Sequence, residues 1–354
     1  MKKYFYLLAN DKINGFIPGI VKFTMLILSF VYQGALYILK ILYCCKILKQ
    51  ERLGVKVISV GNLTLGGTGK TPLEELIADY LLLRGKDVVV LTRGYKALDT
   101  VSGLSGDEAM ILKNNLGVVV IEGKNRVINA KRALNKYHCD TILLDDAFQH
   151  WRLFRDLDII TIDATNPFGN SFLIPRGILR ESKKAIKRAD LVVFTKTDRC
   201  GNIDALVKEI SVINKKVAFV YSRHQALDFV NLINGSRLHY LDFSKVEDIC
   251  FVCGIADPSY FKHTLTDIGL NVGLSFVFPD HYRYTKDEFV KIVNECKRKG
   301  IKNIILTQKD AVKLGFLKDL KESIGLDFWF LRIKMKLTKN EDELFNKLDN
   351  LYIG

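Results

Sequence analysis

The chain reads as α/β: a mostly parallel sheet with helices on both faces, a smaller C-terminal α/β domain, and an apolar helical segment ahead of both. Three observations predict this. Short apolar runs alternate with helix-period segments along most of the chain, the pattern of strands covered on both faces by crossover helices. Between the first such run and the first long helical pattern lies Gly61-Asn-Leu-Thr-Leu-Gly-Gly-Thr-Gly-Lys-Thr-Pro72. Residues 1–52 also differ in composition from everything that follows.

The first segment, 1–52, is expected to hold a membrane-associated helix. From Phe23 to Leu39 there is no formal charge, Thr24, Ser29, Gln33 and Gly34 are the few residues that dilute the apolar run, and Lys22 and Lys40 bracket it. A helix of that length spans roughly 26 Å, slightly short of a ~30 Å hydrocarbon core. A helix inserted in or lying along the membrane is the leading expectation. An ordinary buried helix and a full span are the alternatives. The run begins too late, and lacks a small-residue cleavage site, for a secretory signal.

Residues 53–235 are expected to form a core of the P-loop NTPase type. Val57, Ile58 and Val60 make the strand, and glycines 66, 67 and 69 allow a tight loop that presents its N–H groups to phosphate. Thr64, Leu65, Gly66, Gly67, Thr68, Gly69, Lys70 and Thr71 form the predicted ATP cradle. Lys70 would reach the β- and γ-phosphates, the Thr71 hydroxyl would ligate Mg²⁺, and Pro72 suits the first turn of a helix. The general pattern asks for glycine at position 64, where this chain has Thr64.

Further buried strands are expected at Val88–Leu91, Gly117–Ile121, Thr141–Leu144, Ile159–Ile162 and Leu191–Phe194. The fourth strand of the core ends in Asp145-Asp146, where a P-loop enzyme keeps a second group for Mg²⁺. A solvated carboxylate pair is the plain alternative. Asp107, in a glycine-flanked loop, is one of several candidates for an acceptor-activating carboxylate, against a simple helix N-cap acid. His281, beside Asp280, is a candidate partner or a surface histidine. Thr195-Lys196-Thr197-Asp198 stands where a guanine-reading loop would, with Thr in place of Asn, or is an ordinary strand-end turn.

A composition shift near 200–248 suggests a linker or small antiparallel element around Asn234-Gly235. The last segment, 236–354, opens another α/β unit with strands at Ile249–Val252, Leu274–Phe278 and Ile304–Leu306. Cys250-x-x-Cys253 lacks a second pair and reads as core. The seven cysteines show no paired framework and suit a reducing compartment. The net charge of +14 favours acidic partners such as anionic lipid or phosphorylated substrates, yet no nucleic-acid motif accompanies it.

The ordered set of motifs resembles the tetraacyldisaccharide 4′-kinases, which phosphorylate a lipid A precursor. The matching pieces are Gly61 to Pro72, Arg93-Gly94-Tyr95, Gly106-Asp107-Glu108, Asp145-Asp-Ala-Phe-Gln-His150, Leu179-Arg180-Glu181, Pro279-Asp-His281 and Thr307-Gln-Lys-Asp310. Thr64 is itself usual in that family. The resemblance implies transfer of the ATP γ-phosphate to the 4′-hydroxyl of a tetraacyldisaccharide 1-phosphate. It further implies Asp107 as base assisted by His281, Asp145 and Asp146 organising Mg²⁺, and Arg93, Gln149, His150 and Arg180 facing the substrate. It implies ATP as co-substrate, a glycolipid and a membrane surface as partners, and a monomer on the cytoplasmic face of the inner membrane. Ala147 stands where glycine is usual, Gln308 where glutamate is usual, and Arg176 and Ile178 depart from the commoner residues before Leu179.

Overall fold

The computed structural model describes residues 2–94, 106–243, 248–315 and 325–353. Along the chain come α1 (Lys2–Ala9), α2 (Phe16–Cys44), β1 (Lys56–Asn62), α3 (Lys70–Leu83), β2 (Val88–Thr92), α4 (Asp107–Leu116), β3 (Val119–Glu122) and α5 (Arg126–Lys136). Then follow β4 (Thr141–Asp145), β5 (Leu157–Asp163), β6 (Leu191–Thr195), α6 (Ile203–Ile213), β7 (Ala218–Asn231), β8 (Arg237–His239) and α7 (Tyr240–Phe243). The last elements are β9 (Ile249–Cys253), α8 (Pro258–Asp267), β10 (Val272–Val277), α9 (Lys286–Arg298), β11 (Asn303–Thr307), α10 (Gln308–Ala311), β12 (Asp327–Lys339) and a C-terminal helix, Glu341–Asn350.

These elements fall into two compact units. The first comprises Met1–Tyr95, Val118–Arg223 and Leu337–Gly354, the second Lys96–Gly117 and His224–Lys336. Both are discontinuous in sequence. The stretch between β2 and β3 belongs to the second unit and the C-terminal helix to the first. Such exchanges are made by tertiary packing and leave no mark on local composition.

In the first unit the strand order is β7-β6-β5-β1-β4-β2-β3, with every pairing parallel. Strands β2, β4 and β6 are buried at every residue, as a sheet covered on both faces requires. Val57, Leu91, Ala130, Ile142 and Leu144 pack into one apolar cluster, and Phe148, Ile160, Phe194 and Ile210 into another. Because the strands are parallel, all their C-terminal ends lie along one edge, where such sheets bind ligands. The register sets Val60 beside Asp145 and Leu91 beside Leu144, so the ends of β1, β4 and β2 are neighbours.

Helix α2 belongs to the same unit and is long and apolar enough to cross a membrane. One side docks through polar contacts. The Ser29 hydroxyl donates to the Leu173 carbonyl (2.8 Å), the Arg176 N–H donates to Ser29 Oγ (3.0 Å), and Tyr32 Oη donates to the Arg180 carbonyl (2.9 Å). The other side leaves Phe16, Ile17, Ile20, Phe23, Phe30 and Val31 exposed.

In the second unit β10-β9-β11-β12 run parallel, and β8 pairs antiparallel with the later part of β7. The β7–β8 turn is held by Asn231, whose side-chain oxygen accepts the Ile233 and Asn234 N–H groups, and by Gly235 at φ 72°. This is the antiparallel element anticipated around Asn234-Gly235. Cys250 and Cys253 are buried free thiols in the apolar core, as their sequence context suggested. Strand β12 was not anticipated. It opens on the apolar run 328–331, in which Phe328, Trp329 and Leu331 are buried, and then alternates Arg332, Lys334 and Lys336 with Ile333 and buried Met335.

Candidate active site

The loop after β1 is held by its neighbours more than by its own turns. Gly66 (φ 118°) and Gly69 (φ 79°) take left-handed conformations that side chains rarely adopt, and Gly69 leads directly into α3. Thr64 has no such conformation, which removes the conformational demand for glycine there. Asn62 Nδ2 donates to the Thr64 carbonyl (2.8 Å) and to Thr68 Oγ1 (3.0 Å), and Thr68 Oγ1 lies 2.7 Å from Thr161 Oγ1. The Thr195 hydroxyl donates to the Thr68 carbonyl (3.1 Å), the Leu65 N–H to the Ile178 carbonyl (2.7 Å), and the Arg180 N–H to the Leu63 carbonyl (2.7 Å). A Cβ at Gly61 would lie 2.6 Å from Phe148 Cβ, so this glycine is required for close backbone approach.

Asp146, in the left-handed region at φ 48°, meets both loop cations. Arg180 Nη1 donates to its two carboxylate oxygens at 2.8 Å each, and Lys70 Nζ lies 3.5 Å away. Burial works against this charge, but Lys70 and Arg180 outweigh it and bring the Asp146 carboxyl down to about 2. Its neighbour Asp145 moves the other way. Burial first, then the Asp146 charge, pushes Asp145 up, against Lys70 and a hydrogen bond from Thr92. Beside Asp145 lies the fully buried Glu74, pushed well up by burial and by Asp145. Arg126 Nη2 donates to the Asp145 carbonyl at 3.0 Å. His150 is lowered to about 4 by burial and by Arg126, Arg155 and Arg152, so it is neutral at pH 7. Gln149 Nε2 donates to the Asn62 carbonyl at 2.9 Å.

The second cluster is assembled within the second unit from three distant stretches. Asp107 opens α4, His281 (φ 60°) follows β10, and Lys309 and Lys313 lie on and just after α10. His281 Nδ1 is 3.2 Å from Asp107 Oδ2, and Lys309 Nζ is 3.2 Å from His281 Nε2. An ammonium can only donate, so Nε2 accepts from Lys309 and Nδ1 is the nitrogen that donates to Asp107. Lys313 Nζ is 3.2 Å from Asp107, and Lys309 Nζ is 2.9 Å from Glu108. Burial raises the Asp107 carboxyl, but the His281 bond and the two ammoniums prevail and hold it below the ordinary carboxylate value. Buried Asp310 anchors the turn by accepting the Gly254 N–H (3.0 Å), the Thr307 hydroxyl (2.6 Å) and the Tyr284 hydroxyl (3.0 Å).

The structure therefore gathers Lys70, Asp145, Asp146 and Arg180 in one cluster and Asp107 and His281 in another. Arg93 is exposed at the end of β2, and Tyr95 lies outside the described residues. Lys196 is buried and ion-paired with Asp163, the arrangement of a strand-end turn. Glu74, Arg126, Glu108, Lys309 and Lys313 were missed as site residues. Glu108 and Lys309 lie within motif stretches, and Glu74 had a signal of its own: it occupies the buried stripe of α3 with Leu73, Ile77, Ala78 and Leu81, where an acid is out of place.

Comparison with known proteins adds a family. A family model described as tetraacyldisaccharide-1-P 4′-kinase matches residues 21–352. The tetraacyldisaccharide 4′-kinase of Halothermothrix orenii is 34% identical, covering 98% of each chain. That of Anaeromyxobacter sp. (strain Fw109-5) is 35% identical over 87% of this chain and 85% of the relative. Among solved structures, LpxK from Aquifex aeolicus in complex with ATP superposes with a TM-score of 0.72 at 27% identity, covering 94% of this chain and 99% of that one.

Proposed function

The chain belongs to the tetraacyldisaccharide 4′-kinase family and is a phosphotransferase of lipid A biosynthesis, and we propose how its residues divide that work. ATP donates its γ-phosphate to the 4′-hydroxyl of a tetraacyldisaccharide 1-phosphate. Residues 64–71 cradle the triphosphate with backbone N–H groups, and Lys70 neutralises the β- and γ-oxygens as charge shifts between them. Asp107 accepts the proton of the attacking sugar hydroxyl. Its depressed carboxyl stays ionised at neutral pH, and His281 aims it by donating from Nδ1. Arg93, Gln149, His150 and Arg180 face the glycolipid.

The oxygen donors of Thr71, Asp145 and Asp146 suit a hard divalent cation, and Asp145 is buried with none of the described ion pairs. Mg²⁺ bound there with ATP neutralises phosphate charge. The bare apolar side of α2 seats the enzyme on the cytoplasmic face of the inner membrane as a monomer, where acylated substrate need not leave the bilayer. Nucleic acid is not a partner. We also retain 1–52, 53–235 and 236–354 as proposed functional segments, for membrane association, nucleotide and the remaining α/β part.

The observation that carries this reading is the contact of Asp107 with His281, which joins two motifs 174 residues apart. The test is transfer of radiolabel from the ATP γ-phosphate to tetraacyldisaccharide 1-phosphate in detergent micelles. Labelled lipid from ATP, lost in Asp107→Ala and in Lys70→Ala, is the expected result. Hydrolysis of GTP without labelled lipid would instead favour a regulatory GTPase.

A further inference from the structure

One buried acid has no place in the division of labour above. Glu74 is fully buried, and among the described residues its carboxyl meets no hydrogen-bonding group other than the neighbouring Asp145 carboxyl. A carboxyl set only against another acid in a protein interior is costly and seldom without a purpose. It sits one helical turn after Lys70 on the same face of α3, beside Asp145. Two of the three acids in this cluster behave differently from the third. Asp146 is held by Arg180 and Lys70. Neither Glu74 nor Asp145 takes part in an ion pair among the described residues, although Thr92 supports Asp145. The sheet register explains the grouping, because the ends of β2 and β4 and the first turns of α3 converge there.

We propose that Glu74 is a third carboxylate of the divalent-cation site, a positioning residue that strengthens the hold of Asp145 on the cation arriving with ATP. The inference rests on the phosphate-loop reading above. It explains why an acid replaces the apolar residue that the α3 stripe otherwise calls for. Outer carboxylates around a metal site change its affinity by about 10- to 100-fold.

Mn²⁺ is the probe, followed by electron paramagnetic resonance in the presence of a non-hydrolysable ATP analogue. In Glu74→Gln, Mn²⁺ binding should weaken about tenfold or more, while binding of the analogue in chelator stays within about twofold of wild type. A second variant guards against a folding defect. Glu74→Leu should raise the melting temperature of the metal-free protein, since an apolar side chain replaces an unpaired acid. It should also lose most of the rise in melting temperature that Mn²⁺ and analogue give wild type. Unchanged Mn²⁺ affinity in Glu74→Gln, or a full Mn²⁺-dependent rise in Glu74→Leu, overturns the proposal while leaving the phosphate-loop reading intact. Failure of wild type to bind the analogue with Mn²⁺ overturns both.

Discussion

The phosphate-loop cluster and the Asp107 cluster are made of the same materials, carboxylates set among cations, and arrive at opposite electrostatic states. In the first, Asp146 is drawn down to about 2 while Asp145 and Glu74 are pushed up. In the second, Asp107 is held low by the His281 bond and by Lys313, and Glu108 by Lys309. The first cluster thus holds two carboxyls, Asp145 and Glu74, with no ion pair among the described residues, oxygen donors of the kind that an arriving cation takes. The second is already balanced, the condition of a proton acceptor kept ionised and aimed before substrate arrives. Environments that push neighbouring acids apart mark different duties for them.

Breaking the first cluster should do most harm. Lys70→Ala is expected to lower transfer by about 10³-fold or more, because the ammonium acts on charge that develops in the transition state. Binding of ATP should weaken as well, measured by equilibrium titration. The second cluster should respond differently. Asp107→Asn is expected to lower kcat by about 10²- to 10⁴-fold, the range for a positioned general base. His281→Ala should cost less, and the double variant should be no slower than Asp107→Asn alone, because the histidine acts through the aspartate. Additive losses would give His281 an independent role.

The two clusters also differed in how far the sequence revealed them. Residues 57–72 are contiguous, and each has a local reason to be there: β-branched residues for the strand, glycines for positive φ, Lys70 and Thr71 for the phosphate end. Asp145-Asp146 follows an apolar run and is nearly as plain. Asp107, His281, Lys309 and Lys313 come from three stretches with no local sign that they meet. Residue patterns offered Asp107 and His281 only as alternatives, and the family resemblance singled them out. The contact itself needed the tertiary structure, which puts 96–117 and 224–336 in one unit. Lys313 carried no signal, because an isolated lysine after a strand is usually a solvated one, and Lys309 was marked only by its place in the Thr307-Gln-Lys-Asp310 stretch. Strand β12 did carry a local signal in the apolar run 328–331, and only its second half is broken up by alternating arginine and lysine.

Smaller effects sharpen the contrast. Gly61→Ala should destabilise the protein by about 1–3 kcal/mol, the usual cost of overpacking, read by denaturant unfolding. The new Cβ would press on Phe148. The smallest effect concerns His150, held at about 4 in the fold against an ordinary value of 6.5. Falling pH protonates the unfolded chain first, so the stability tied to neutral His150 is complete above about 6.5 and is lost as pH falls towards about 4. Melting temperature should therefore drop over that window, and His150→Gln should flatten the slope. An unchanged slope would mean that other groups carry it.

The most direct test of the division between the clusters is a crossed measurement of ATP affinity and single-turnover transfer in Lys70→Ala and Asp107→Asn. The account predicts that Asp107→Asn binds ATP within about twofold of wild type yet transfers at least about 10²-fold more slowly, while Lys70→Ala loses both. If Asp107→Asn weakens ATP binding as much as Lys70→Ala does, or transfers at the wild-type rate, the two clusters do not divide the work between phosphate and proton.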